Sequence, residues 1–316
     1  MPLCREISCT TVVFPGQGSQ RAGMGRDFSE RCPASRRVFE EASDAVGVDV
    51  ATLCFTDDPR LALTEYAQPA ILTTEIAMLR GLAELFGLQP ERFGGHSLGE
   101  YSALVAAGVL PVAEAVRIVR ERGRLMQQAV PVGRGGMLAV IGHALEVAAL
   151  EGALAGLAVT IANDNSPEQV VLSGLVGDVA EAARRLESDG TLRLVPLDVS
   201  APFHSPLMAE VEPAFAAVLD AHGGWDAARA PAVTSNLSGG FHEADLAAVR
   251  ARLVRQVSGT VRWRSNMVAL AEVSSRIVEI GPGRPLRAFF RAVGVTVESI
   301  TDVRSATRVL GAEAAA

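Results

Sequence analysis

Ser97 lies between glycines in Gly95-His96-Ser97-Leu98-Gly99. A serine in a G-x-S-x-G setting can carry an acyl group on its hydroxyl, provided the turn exposes Oγ. The segment reads as a strand ending at Gly94-Gly95, a turn at the serine, and a helix entered through Glu100-Tyr101-Ser102-Ala103. Glycine is needed on either side because a side chain would collide with the turn, and the N-terminus of the following helix is aimed at the reacting centre. A serine hydroxyl is a weak nucleophile at its own pKa and requires an adjacent base. The chain offers five histidines: His96, His143, His204, His222 and His242. His96 sits within the turn, where its side chain points away from Oγ and suits packing or hydrogen bonding. His143 starts a helix, His222 ends one beside Gly223-Gly224, and His242 follows Gly239-Gly240-Phe241; surface or capping roles fit these three. His204, in Pro202-Phe203-His204-Ser205-Pro206, falls where the chain passes between two structural units. That junction makes it the candidate base.

Several elements must hold these residues. Thr10 to Phe14 is a β-branched and aromatic run stopped by Pro15-Gly16, a buried strand feeding a loop. Gln68 to Phe86 reads as a long helix with Pro69 near its start and Gly87 at its end, and Val112 to Gln128 as an amphipathic one. The pattern changes at Pro131-Val132-Gly133-Arg134-Gly135-Gly136, a hinge or boundary. Beyond it the expected order is strand Met137–Ile141, helix Ala144–Leu154, strands Ala158–Ala162 and Gln169–Ser173, helix Val176–Glu187 and strand Leu192–Leu197. This βαββαβ order is the ferredoxin-like arrangement, about 60 residues long. It is an insertion, because strands and helices resume at Leu207–His222, Ala232–Asn236, Leu246–Val257 and Arg276–Ile280. The alanine-rich tail from Ala312 to Ala316 is expected to fray.

Composition excludes several classes. At 21% charged and 49% apolar residues the chain has the balance of a soluble globular protein. A net charge of −7 argues against nucleic acid as a partner, because phosphate neutralisation needs a cationic surface. All 29 basic residues are arginine. No apolar stretch is long enough to span a bilayer, so no membrane association is expected. The N-terminal residues show no basic region followed by an apolar stretch and a small-residue cleavage site, which reads as cytoplasmic. Cys4, Cys9, Cys32 and Cys54 form no C-x-x-C pair and have no matching histidines, so reduced thiols are expected and no metal site.

Six ordered motifs, the serine turn among them, run along the chain: Phe14-Pro15-Gly16-Gln17-Gly18-Ser19-Gln20, Gly95-His96-Ser97-Leu98-Gly99-Glu100, Arg122-Gly123-Arg124-Leu125-Met126-Gln127, Asn165-Ser166-Pro167-Glu168-Gln169-Val170-Val171, Phe203-His204-Ser205 and Glu279-Ile280-Gly281-Pro282-Gly283. In these the chain resembles the malonyl-CoA:acyl carrier protein transacylase family, which includes acyltransferase domains of polyketide synthases. The resemblance implies an α/β fold, with an α/β-hydrolase-like catalytic subdomain (residues 1–130 plus 199–316) and an inserted ferredoxin-like small subdomain (residues 131–198). It also implies ping-pong transfer through an acyl-serine, Ser97 being the nucleophile and His204 the base. By the same likeness the main-chain carbonyl of Gln256 orients His204, the amides of Gln17 and Leu98 form the oxyanion hole, and Arg122 clamps a free carboxylate. Arg117, Arg120 and Arg124 are left as surface arginines. Phe203, just before the base, would crowd the substrate α-carbon and disfavour a branched acyl group.

The expected reaction moves a malonyl group from coenzyme A to the phosphopantetheine thiol of an acyl carrier protein, with no permanently bound cofactor, in fatty acid or polyketide synthesis. The alternatives are carrier-to-carrier transfer of a larger acyl or aminoacyl group, hydrolysis of stalled acyl thioesters, and a noncatalytic docking module on the same fold. An intact Ser97 and His204 speak against the last, and Arg122 against hydrolysis of uncharged chains. Since carrier proteins are generally acidic, docking on this acidic chain calls for a local arginine patch, with Arg252, Arg255, Arg262 and Arg264 as candidates.

Overall fold

A computed structural model describes residues 9–131, 133–187, 190–199 and 201–311. Cys4, the tail from residue 312 to 316, and Val132 and Ser200 of the two junction segments lie outside them. The strands in chain order are β1 (Thr10–Phe14), β2 (Arg92–Gly95), β3 (Gly135–Ile141), β4 (Val159–Ser166), β5 (Gln169–Leu175), β6 (Arg193–Leu197), β7 (Thr234–Ser235), β8 (Gly240–Phe241), β9 (Arg276–Ile280) and β10 (Glu298–Ile300).

The fold is α/β, with two four-stranded sheets of opposite character. The first is wholly parallel in the order β10-β9-β1-β2. Parallel strands covered on both faces read as continuous apolar runs, which is why Val12, Val13 and Phe14 are all buried in β1. The second sheet is antiparallel in the order β4-β5-β3-β6, backed by helices Val147–Ala153 and Val176–Glu187. Its core, including Leu138, Val140, Ile161, Val170 and Leu172, is separate from the main core around the parallel sheet. A strand-helix-strand-strand-helix-strand order with this pairing is ferredoxin-like.

The expected helix from Gln68 begins one turn earlier, at Thr64, and runs to Phe86 with Pro69 inside it. Its first amide, Thr64 N–H, donates to Gln127 Oε1 at 2.8 Å, a cap supplied by another helix. Helix Val112–Gln128 packs against that start, and Gly123 permits the approach: a Cβ there would lie 2.4 Å from Thr64 O. This seats the neighbouring Arg122 beside the first helix. The expected helix from Ala144 begins at Val147, because Ala144 is left-handed at φ 50°. The expected helix from Leu207 divides into a 3-10 turn (Pro206–Val211) and an α-helix (Glu212–Ala221), because Pro213 supplies no amide for a continuous ladder. The expected strand Ala232–Asn236 shortens to β7, which pairs with β8, while Val233 just before it makes a single parallel bridge to Phe93 of β2.

The start of helix Gly99–Ala106 lies so close to the C-terminal ends of β1 and β2 that glycine is required at positions 95 and 99. A Cβ on Gly95 would lie 1.9 Å from Gly99 O, and one on Gly99 would lie 2.3 Å from Phe14 O. Backbone cannot yield as a flexible side chain can. Gly99→Ala is therefore expected to cost at least about 1–3 kcal/mol, read as a lower urea midpoint at unchanged m-value; an unchanged midpoint would contradict the close approach.

Candidate active site

Ser97 follows β2 and precedes helix Gly99–Ala106, as the serine turn requires. It holds φ at 52°, and His204 holds φ at 56°. Left-handed backbone costs a non-glycine residue about 1–3 kcal/mol and persists only where neighbours enforce it. At Ser97 those neighbours are visible. Asn236 Oδ1 accepts the Ser97 N–H at 2.7 Å, Asn236 Nδ2 donates to Gly95 O at 2.7 Å, and Gln256 Nε2 donates to Ser97 O at 3.1 Å.

His204 Nε2 lies 2.8 Å from Ser97 Oγ, and its Nδ1 lies 2.8 Å from the main-chain carbonyl of Gln256. A carbonyl only accepts, so Nδ1 carries the proton and Nε2 is left to accept from the serine. Burial, reinforced by the nearby Arg122 guanidinium, pushes the His204 pKa down to about 3. The imidazole is thus neutral wherever the protein works near neutrality.

Arg122 is 1% exposed, and burial lowers its pKa from the usual arginine value. Its amino groups donate to Gln68 Oε1 and Gln256 Oε1, each at 2.9 Å, and one reaches Ser97 Oγ at 3.3 Å. The guanidinium also stands over the Tyr101 ring at 5.4 Å. No carboxylate among the described residues forms an ion pair with it, and its buried Nε–H has no acceptor there. The nearest charge of opposite sign, Glu100, acts on it only from beyond Gln256, and an enclosed cation with no carboxylate in direct contact is expensive and suits an anion from outside. Arg117 and Arg124, by contrast, pair with Glu114 and Glu121 on their own helix, and Arg120 with Glu65.

The loop after β1 packs directly on this turn: His96 N–H donates to Phe14 O, and a Cβ on Gly16 would lie 2.4 Å from His96 O. That contact holds the loop carrying Gln17 against the turn that leads to Leu98. Neither main-chain amide has a protein acceptor among the described residues. Phe203 is buried in the main core next to His204. The structure therefore gathers Ser97, His204, Arg122 and Gln256 in one hydrogen-bonded cluster, with Leu98 and Phe203 next to Ser97 and His204 along the chain and Gln17 on the loop packed against the turn.

The other histidines divide. His96 Nε2 lies 2.7 Å from Asn165 Oδ1 of β4, and its ring packs on Trp263, so it ties the two sheets together. His143 is exposed, and His222 ends helix Glu212–Ala221 with Nδ1 2.6 Å from Glu114 Oε2. His242 corrects the surface or capping role expected of it. It is 3% exposed, and its Nε2 lies 2.8 Å from Glu100 Oε1, because the loop after β8 folds back beneath the serine turn. Among the described residues the thiols offer no rival nucleophile; Cys9, Cys32 and Cys54 are buried, and burial pushes Cys54 up to about 12. Among the candidate surface arginines, Arg252 pairs with Glu243 and Arg264 with Asp164 of β4, whereas Arg255 and Arg262 are exposed.

Four contributors escape sequence reasoning: Asn236, Glu100, Gln68 and the side chain of Gln256. Only Glu100 lies within a recognisable motif, and nothing there says what its carboxylate touches.

Comparison with known proteins gives the family. The chain is 40% identical over 299 residues to the malonyl CoA-acyl carrier protein transacylase of Bacillus subtilis (strain 168), covering 93% of each. It superposes with a TM-score of 0.90 on the malonyl-CoA:acyl carrier protein transacylase of Xanthomonas oryzae pv. oryzae, at 37% identity and over 98% and 99% of the two chains. It also matches a malonyl-transacylase solved in complex with its type II PKS acyl-carrier protein, with a TM-score of 0.87, 36% identity and coverage of 96% and 99%. With residues 11–311 matched by the acyl transferase domain family, the chain belongs to that family and is an acyltransferase.

Proposed function

We propose that the protein transfers a malonyl group from coenzyme A, through an ester on Ser97, to the phosphopantetheine thiol of an acyl carrier protein in fatty acid or polyketide synthesis. The observation that carries this is Arg122, a buried cation lacking a carboxylate and reaching to 3.3 Å from Ser97 Oγ. A thioester whose acyl part ends in a carboxylate completes that site, with two parallel hydrogen bonds to orient its carbonyl. The relatives' names, and the neighbour solved with its carrier protein, support the same substrate and partner.

Ser97 Oγ attacks the thioester carbonyl while His204 Nε2 takes its proton. The amides of Gln17 and Leu98 hold the resulting oxyanion. Collapse breaks the carbon–sulfur bond, and His204 returns the proton to the leaving coenzyme A thiol. The carrier thiol then enters, gives its proton to His204 and attacks the ester; Ser97 Oγ leaves and takes that proton back. The Gln256 carbonyl holds the imidazole in the required tautomer throughout. Phe203 limits branching at the acyl α-carbon, and Arg255 and Arg262 offer exposed charge for an acidic carrier. We assign residues 1–130 plus 199–316 to the catalytic subdomain and 131–198 to the small one, on the two separate cores. No helix among the described residues is long and apolar enough to cross a membrane, and we place the reaction in the cytoplasm, where both thioester substrates would be met.

Incubation with malonyl-CoA, followed by intact mass and peptide mapping, is expected to show one malonyl group on Ser97 that disappears when phosphopantetheinylated carrier protein is added and reappears on the carrier. Malonate released to water instead of malonyl-carrier would replace transfer by hydrolysis. The pH dependence is a separate expectation. Protonated His204 cannot accept the serine proton, so activity falls as pH drops through its pKa; with that pKa at about 3, kcat/KM for loading stays flat from about pH 8 to pH 5. An inflection near 6.5 in stopped-flow loading would show an ordinary histidine.

A further inference from the structure

Glu100 enters the helix directly after the Ser97 turn, yet its buried carboxylate touches none of the reacting groups. Instead it collects three donors from three separate segments. His242, after β8, lies with Nε2 2.8 Å from Oε1. The main-chain N–H of Asn236, after β7, donates to Oε2 at 2.9 Å, and Gln256 Nε2, at the end of helix Leu246–Gln256, donates to the same oxygen at 2.7 Å.

Two of these three partners continue to the reacting groups. Asn236 straddles the serine turn, accepting from Ser97 N–H and donating to Gly95 O. Gln256 stands between Glu100 and Arg122, with Nε2 toward the carboxylate and Oε1 2.9 Å from the guanidinium. An amide between a carboxylate and a guanidinium has one acceptable orientation, since reversal would set NH2 against guanidinium and oxygen against carboxylate. The charge on Glu100 therefore decides how Gln256 presents its oxygen to Arg122 and its amide to Ser97 O.

We propose that Glu100 is a positioning residue whose carboxylate, anchored by His242, sets Asn236 and Gln256 and through them both the Ser97 turn and the direction of the Arg122 guanidinium. The role rests on Ser97 and Arg122 acting as proposed above. It separates two consequences. A misplaced Ser97 turn slows loading of every acyl group, whereas a misdirected Arg122 slows only those with a free carboxylate.

Glu100→Gln keeps the shape and removes the charge, leaving an amide where three donors converge. In single-turnover loading followed by intact mass, this variant is expected to lose roughly 100-fold in kcat/KM with malonyl-CoA and about tenfold with acetyl-CoA, the acyl group still on Ser97. A purely structural role would lower both alike in step with the unfolding midpoint, so equal losses, or none, overturn the proposal. Should Glu100→Gln fail to fold, His242→Leu removes only the anchor on Oε1; the same bias at smaller size is expected, and an unbiased loss overturns it. The unsubstituted protein run in parallel separates the two assignments. Failure of the parent to form malonyl-Ser97 defeats the reading of the site and this role with it, whereas normal parent loading beside an unbiased Glu100→Gln defeats the role of Glu100 alone.

Discussion

Ser97→Ala is expected to carry no acyl group after incubation with malonyl-CoA and to lose at least about 10⁴-fold in transfer, because no other side chain can take the place of its Oγ. The reason lies in the geometry around it. Oγ is 2.8 Å from the neutral His204 Nε2 and 3.3 Å from the Arg122 amino group, and the described thiols are buried away from the cluster. The loss must be separated from misfolding, and the backbone supplies the means. Ser97 holds φ at 52°, which glycine adopts without the Cβ penalty of about 1–2 kcal/mol. In Ser97→Gly that relief offsets the lost hydrogen bond to His204, about 1 kcal/mol. The glycine variant should therefore be equally inactive while unfolding within a few degrees of the parent in a thermal scan. An adduct on either variant would place the nucleophile elsewhere; an inactive but strongly destabilised Ser97→Gly would mean that the hydroxyl holds the turn together.

The serine turn was legible in the sequence because its requirements are local. Gly95 and Gly99 are needed by contacts within a few residues or with the adjacent strand, and such needs leave a motif. The parallel sheet and the ferredoxin-like unit were legible for a related reason, since hydrophobic period and strand order carry them. β1, helix Val112–Gln128 and helix Val176–Glu187 begin and end where periodicity puts them. What the sequence could not show depends on partners far along the chain. Helix Thr64–Phe86 begins early because Gln127 caps it. Asn236 reaches Ser97 across 139 residues, and Gln256 reaches Arg122 across 134. An isolated asparagine or glutamine has no local signature for such a bond. His242 was misplaced for the same reason: its glycine-rich neighbourhood suggests a surface loop, and only the tertiary fold supplies the buried Glu100 carboxylate that draws it inside.

Arg122→Ala is expected to convert selectivity more than it destroys chemistry. Removing one partner of a buried, hydrogen-bonded charge pair costs about 2–5 kcal/mol, so malonyl loading should fall roughly 30- to several-thousand-fold in kcat/KM. Acetyl-CoA has no carboxylate to hold, and its loading loses only what the shortened side chain does to the Ser97 surroundings. The ratio of the two rates therefore shifts toward acetyl, and equal losses would remove the carboxylate clamp from the mechanism. The same substitution reports on His204. Burial and the Arg122 charge both push its pKa down, and deleting the cation leaves burial with the smaller effect of nearby His96. With a positive neighbour gone the imidazolium is less disfavoured, so the pKa rises toward, but stays below, the ordinary value near 6.5. The acid limb of acetyl loading should move to higher pH in Arg122→Ala than in the parent. A limb that does not move would mean that Arg122 has no part in keeping His204 neutral; movement to lower pH would contradict the sign of the interaction.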